Sequence, residues 1–212
     1  MTEGRERRIG EIVGAVARQA LADRGAARIA LLDDGGPEAE LAARLLEAAV
    51  GAERVARVTA GNAEVESLLH LAPAGDAERA REEVRRMRAR LVADAVPAHP
   101  ANKTALLLGG ELPPEPLLPL GDLWASEVAE LAGRWSAPAQ VQRIAALAGG
   151  IEALDAALRA WADGRDASAL ARLPPGAADA VMRALDAGRA SRLHPRIVPK
   201  IGTRTLTIDL FE

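Results

Sequence analysis

Residues Arg28 to Val50, RIALLDDGGPEAELAARLLEAAV, restrict the chain to few folds. Ile29 to Leu32 form a short apolar run, the pattern of a parallel strand covered on both faces. Asp33, Asp34, Gly35 and Gly36 supply a turn. Pro37 suits a first helical turn, and Leu41, Leu45 and Ala48 recur at helical spacing. Gly51 breaks that helix, and Val55 to Thr59 reads as a second strand. A strand–helix–strand unit of this length predicts a parallel sheet. In such sheets ligands bind beyond the carboxyl ends of the strands, and the helix N-terminus attracts phosphate. Asp33 and Asp34 place two carboxylates where an anion would have to approach.

The remaining pattern is mostly helical. Arg8 to Asp23 carries Ile9, Ile12, Val13, Val16 and Ala20 on one stripe, and Gly25 ends it. Between Ala60 and Asp76 the signal is weak, with Leu68 and Leu69 suggesting a short strand. Ala77 to Ala95 reads as a helix whose buried face is Val84, Met87, Leu91 and Ala95. Its six arginines, Arg79, Arg81, Arg85, Arg86, Arg88 and Arg90, interleave with Glu78, Glu82 and Glu83. That pattern is a solvated, ion-paired face, or one from which an arginine or two enters a phosphate-bearing cleft. Ala105 to Leu108 (ALLL) predicts a third strand, ended by Gly109-Gly110. Asp122 is placed to cap the next helix, where Trp124, Val128, Leu131 and Trp135 form a stripe for core packing or a subunit contact. Ala139 to Ala148, Ile151 to Ala162 and Gly176 to Ala187 read as helices, and Leu206, Ile208 and Leu210 alternate as in an extended segment. No internal repeat or linker interrupts residues 1–212, so one α/β domain is expected, with a helical C-terminal half.

Composition removes several functions. Lys and Arg number 27 against 30 Asp and Glu, net −3, which gives no basic excess for nucleic acid. Aromatic residues are too few for base-stacking platforms. The absence of cysteine excludes disulfides, thiolate catalysis and cysteine metal sites. His70, His99 and His194 make no ligand motif. Neither a signal peptide nor a membrane-spanning run is readable, so a cytoplasmic protein without a membrane partner is expected.

Taken in order, several segments resemble the synthetase domain of NAD synthetase. PLGDLWASEVAELAGRWSAP, Pro119 to Pro138, is similar to the family's N-P-(I/L)-x-D-L-Y-K-T-x-V-x-x-L-A segment. His194, Arg196 and Pro199 fit H-K-R-x-x-P, with Pro195 at the lysine. DGGPEA, Asp34 to Ala39, occupies the place of the phosphate loop S-G-G-x-D-S. IEALDAALRAWADG is similar to Y-x-x-(I/L)-D-x-(I/L)-L. The arginine-rich helix lies where the family has N-x-Q-A-R-x-R-M, with Arg85 on a motif arginine and Glu83 at the glutamine. The resemblance covers most of the chain. It implies an adenine nucleotide alpha-hydrolase-like fold, three layers with a parallel sheet flanked by helices. It also implies a homodimer, and ATP with Mg²⁺ as cofactors for the ammonia-dependent amidation of nicotinic acid adenine dinucleotide.

The departures point away from that activity. Both loop serines are gone, replaced by Asp34 and Ala39, while Gly35 and Gly36 persist and Glu38 stands in for the aspartate. The family follows its third strand with G-T-x-N-K-S-E. With ALLL as the third strand no counterpart follows, and Asn102-Lys103-Thr104 falls before it. The lysine of the Y-K-T step is Ala125, leaving Ser126 as the hydroxyl. Both loops that cover the family's active site are shortened. The resemblance therefore implies a divergent member with little or no ligase activity and unassigned catalytic residues. Its vestigial nucleotide site would comprise Asp34, Gly35, Gly36, Glu38, Arg85, Ser126, His194 and Arg196, with Asp34 and Glu38 as candidate Mg²⁺ ligands. The alternatives are an active ammonia-dependent NAD synthetase with a rebuilt site, or an adenine-nucleotide sensor. Surface ion pairing for Arg85, and tail anchoring for His194 and Arg196, are the competing structural roles.

Overall fold

The computed structural model describes residues 2–71, 77–109, 115–164, 167–187 and 196–201. Helix α1 (Thr2–Arg24) leads into β1 (Arg28–Leu32), α2 (Pro37–Val50) and β2 (Val55–Val58). Helices α3 (Asn62–Leu71) and α4 (Ala77–Leu91) carry the chain to β3 (Ala95–Ala98). The three strands form a parallel sheet in the order β2-β1-β3, with Ile29 opposite Val55 and Val96. Single parallel bridges extend it, Ala98 to Leu117 and Leu117 to Ile197. β1 is therefore central, and its fully apolar run is explained by cover on both faces. Ile29 and Leu31 pack with Ile9 and Val13 of α1 and Leu41 and Leu45 of α2. Ala30 and Leu32 pack on the other side with Val58 of β2 and Ala89 of α4. This is the expected three-layer α/β architecture.

The second half is helical: α5 (Lys103–Leu108), α6 (Ala125–Ala132), α7 (Ala139–Ala148), α8 (Ile151–Gly164), α9 (Ala167–Ala171) and α10 (Pro175–Ala187). Its core gathers Leu106 to Leu108, Trp124, Val141, Ile144, Leu154, Leu158 and Val181. Trp124 and the inner face of α8 are thus buried within the chain itself. The alternating segment Leu206 to Leu210 lies outside the described residues.

Five expectations are corrected. ALLL is helix α5, not the third strand. Asn102 caps it, its side chain accepting from the Ala105 N–H at 3.0 Å. The third strand is AVPA, residues 95 to 98, in which Pro97 masks the strand signal. Leu68 and Leu69 lie in helix α3, where with Val65 they pack against Ala80 and Val84 of α4. α4 stops at Leu91, and its inner face is Ala80, Val84, Arg85 and Ala89, with Met87 and Leu91 exposed. Asp122 does not cap α6. It is buried, accepting from Lys103 Nζ at 3.1 Å and from the Ile201 N–H at 2.8 Å. Glu127 instead reaches back to the Trp124 N–H at 2.9 Å. Trp135 lies beyond the end of α6, after Gly133.

Candidate functional site

A cleft of about 600 Å³ opens at the carboxyl ends of β1 and β3. α2, which follows β1, packs on one face of the sheet and α4, which leads into β3, on the other, so the strand order reverses between β1 and β3, which is where open α/β sheets bind ligands. One wall is the turn after β1. The second is α4, with Glu78, Arg79, Glu82, Arg85 and Arg86. The third is the segment from His99 into α5, and the fourth is residues 136–139.

The glycine turn is already filled by its own side chains. Asp33 Oδ1 accepts from the Gly35 N–H, and Asp34 Oδ1 from the Gly36 N–H, each at 2.8 Å. Asp33 Oδ2 also accepts from Arg57 Nε at 2.7 Å, tying the turn to β2. Gly35 has φ +75°, a conformation strained for any residue with a Cβ. A Cβ on Gly36 would meet Asp34 Oδ1 and Ser136 Oγ, both at 2.9 Å. Two N–H donors of the turn are thus held by carboxylates of the same chain.

Glu38, in the first turn of α2, is buried and accepts from Ser136 N at 3.0 and 3.1 Å, Ser136 Oγ at 2.7 Å and Asn102 Nδ2 at 3.3 Å. Burial raises its carboxyl above the ordinary value, the Ser136 hydrogen bonds pull it back, and the charge of Asp34 adds to the rise. These bonds hold the segment after α6 against the N-terminus of α2. They also decide the fit of Mg²⁺. Both Glu38 oxygens are engaged, so the proposed pair leaves only the second Asp34 oxygen open. Among the described residues no three His, Asp or Glu side chains converge as a metal site. The donor set does not fit a resident divalent ion.

Arg85 is buried and lines the cleft, paired with Glu82 at 2.8 Å and Glu78 at 3.5 Å. Glu82 collects a further bond from His99 Nε2 at 2.9 Å. The other His99 ring nitrogen accepts from the Ala101 N–H at 3.1 Å, which places the imidazole proton on Nε2. Burial pushes the Glu82 carboxyl up, but His99 and then Arg85 outweigh it and hold it at about 2. Ser126 does not line this cleft; it sits in a shallow depression with Arg5, Glu127, Glu152 and Arg159. Its N–H donates to Asp155 at 2.7 Å. Arg196 lies beside Glu115, where burial lowers its pKa against the pull of the Glu115 charge. His194 lies outside the described residues. Of the eight predicted residues, Asp34, Glu38 and Arg85 line one cleft, with Gly35 and Gly36 in the turn beside it.

With β3 at residues 95 to 98, Asn102-Lys103-Thr104 follows the third strand after all. The segment His99 to Ala105 stands where G-T-x-N-K-S-E would stand, with Ala105 at the glutamate. Thr104 Oγ1 donates to Asp155 at 2.6 Å and accepts from the Ala125 N–H at 3.0 Å. Lys103 is buried against Asp122, 4.9 Å above the Trp124 ring. Asn102, Ser136, Glu82 and His99 are site residues that the sequence reading missed. The Asn102 cap before an apolar run was the available signal.

Strand order, cover on both faces and a cleft at the switch point define a three-layer α/β architecture. A solved structure shares it: the NH3-dependent NAD synthetase from Campylobacter jejuni subsp. jejuni NCTC 11168, in complex with the nitrate ion. The likeness has a TM-score of 0.64 at 17% identity and spans 91% of this chain and 98% of that one. At that identity the likeness is one of fold, and the fold is NAD synthetase-like. No family model and no curated protein sequence matches the chain.

Proposed function

We propose that this chain is an NAD synthetase-like protein that has lost ligation, or keeps only a trace of it, and acts as a cytoplasmic homodimeric binding protein. One observation carries the reading: the Gly35 and Gly36 N–H groups are bonded by Asp33 and Asp34. Phosphoryl and adenylyl transfer depend on such donors being aimed at developing negative charge. A phosphate entering this turn would displace the carboxylates and then face their charge. One like-charge contact at a few ångströms costs several kcal/mol at an effective dielectric of about 20. Ala39, Ala105 and Ala125 stand where the resemblance expects a serine, a glutamate and a lysine, which removes further polar groups from the same chemistry.

The test is direct. The pure protein is incubated with ATP, Mg²⁺, ammonia and nicotinic acid adenine dinucleotide, and NAD and pyrophosphate are assayed. The expected result is no turnover. A rate on the order of 1 per second, ordinary for an enzyme, refutes the reading. Light scattering at twice the 22.2 kDa chain mass is the expected result for the homodimer.

A further inference from the structure

We infer that a second cavity, between the N-terminal half of α1, the start of α6 and α8, binds a small organic carboxylate with an apolar body. It shares no lining residue with the cleft at the ends of β1 and β3, so the inference does not depend on whether that cleft keeps ligation.

The cavity holds about 350 Å³, within the roughly 300–1,000 Å³ of small-molecule sites. Ile9, Ile12, Trp124 and Ile201 give it apolar walls. Its charged lining is Arg5, Arg8, Lys103 and Arg159 against Asp122 and Glu127, an excess of positive charge. The partners of these groups decide what the cavity accepts. Asp122 spends one oxygen on Lys103 Nζ and the other on the Ile201 N–H. Glu127 spends Oε1 on Arg5 and Oε2 on the Trp124 N–H. Both wall carboxylates thus already have donors. Arg5 divides its guanidinium between Glu127 and Glu130. Two cations differ. Arg8 is exposed and has no ion pair or hydrogen bond among the described residues. Arg159 lies over the Trp124 ring at 5.4 Å and comes no closer to Glu127 than 3.6 Å, beyond hydrogen-bond distance. Their N–H donors are open to an incoming anion. A guanidinium fork matches the two oxygens of a carboxylate, and such charge-assisted bonds are the strong ones. A neutral ligand would leave the excess positive charge uncompensated. A bare inorganic anion would leave the apolar walls uncovered. A carboxylate on an apolar body satisfies both.

Benzoate, benzamide and inorganic phosphate separate these contributions, as charge with body, body alone and charge alone. Calorimetric titration of the full chain at pH 7 and low ionic strength, where surface charges are least screened, is the measurement. Benzoate should bind in the millimolar range, with benzamide and phosphate at least about tenfold weaker. Arg8→Gln and Arg159→Gln should each weaken benzoate about tenfold, the scale of one hydrogen bond between charged groups. Arg8→Gln breaks no contact among the described residues, so it should melt with the parent chain and keep the test valid. Arg79→Gln, in the other cleft, should leave benzoate affinity unchanged. Four results overturn the inference: no benzoate binding, benzamide or phosphate binding as tightly as benzoate, unchanged affinity in either Arg8→Gln or Arg159→Gln, or a loss in Arg79→Gln. NAD formation in the ligase assay would refute the loss of ligation and leave this cavity's ligand standing.

Discussion

Replacing Glu82 with glutamine should remove much of the chain's resistance to acid. Glu82 accepts from Arg85 at 2.8 and 3.1 Å and from His99 at 2.9 Å, and its side chain is 21% exposed. These partners hold the native carboxyl at about 2 against an ordinary value of 4.5. The native pKa lies below the unfolded one, so the unfolded chain takes up the proton first as pH falls. The stabilisation is therefore complete above about pH 4.5 and is lost as pH drops toward 2. The gap corresponds to about 3 kcal/mol at pH 7, of which about 1 kcal/mol remains at pH 3. Glu82→Gln should thus be less stable than the parent chain by about 3 kcal/mol at pH 7, or about 10 °C in melting temperature for a domain of this size. Urea unfolding at pH 7, 5 and 3 measures the difference. It should be large and nearly constant from pH 7 to 5 and should shrink by pH 3. A difference that is absent at pH 7, or that stays the same at pH 3, refutes the coupling of Glu82 to His99 and Arg85.

Two further outcomes follow from the buried polar groups. Lys103→Met leaves the Asp122 carboxylate buried without its ammonium and should cost about 3–5 kcal/mol, measured by denaturant unfolding; a loss under about 1 kcal/mol would show that the pair matters little. Asp155→Ala should cost about 2–4 kcal/mol by stranding the Thr104 hydroxyl and the Ser126 N–H, and Asp155→Asn should cost less. Burial raises the Asp155 carboxyl, so the native chain holds that proton longer than the unfolded one. Its share of stability falls as pH rises through the native titration, and that slope should be missing from Asp155→Asn.

What could be read from the residues follows from how many independent signals each segment carries. At Arg28 to Val50 an apolar run, a glycine pair, a proline and a helical stripe agree, and both elements form at the predicted bounds. AVPA has only four residues, two alanines and a proline, and it is a strand because β1 lies on one side and Leu117 on the other. Nothing local announces that. ALLL failed differently, since a four-residue apolar run fits a buried strand or a buried helix turn equally well. The Asn102 side chain decides for the helix by capping Ala105. That single choice moves Asn102, Lys103 and Thr104 from before the third strand to after it, and so into the wall of the cleft and the buried network behind it. The same logic explains the turn. Its backbone was legible from two glycines, but its chemistry depends on where the Asp33 and Asp34 oxygens point, and Asp33 is held by Arg57 on β2, a tertiary contact. A motif's backbone can thus persist while its donors are reassigned, and the hydrogen-bond partners of Gly35 and Gly36 decide whether the turn still receives an anion.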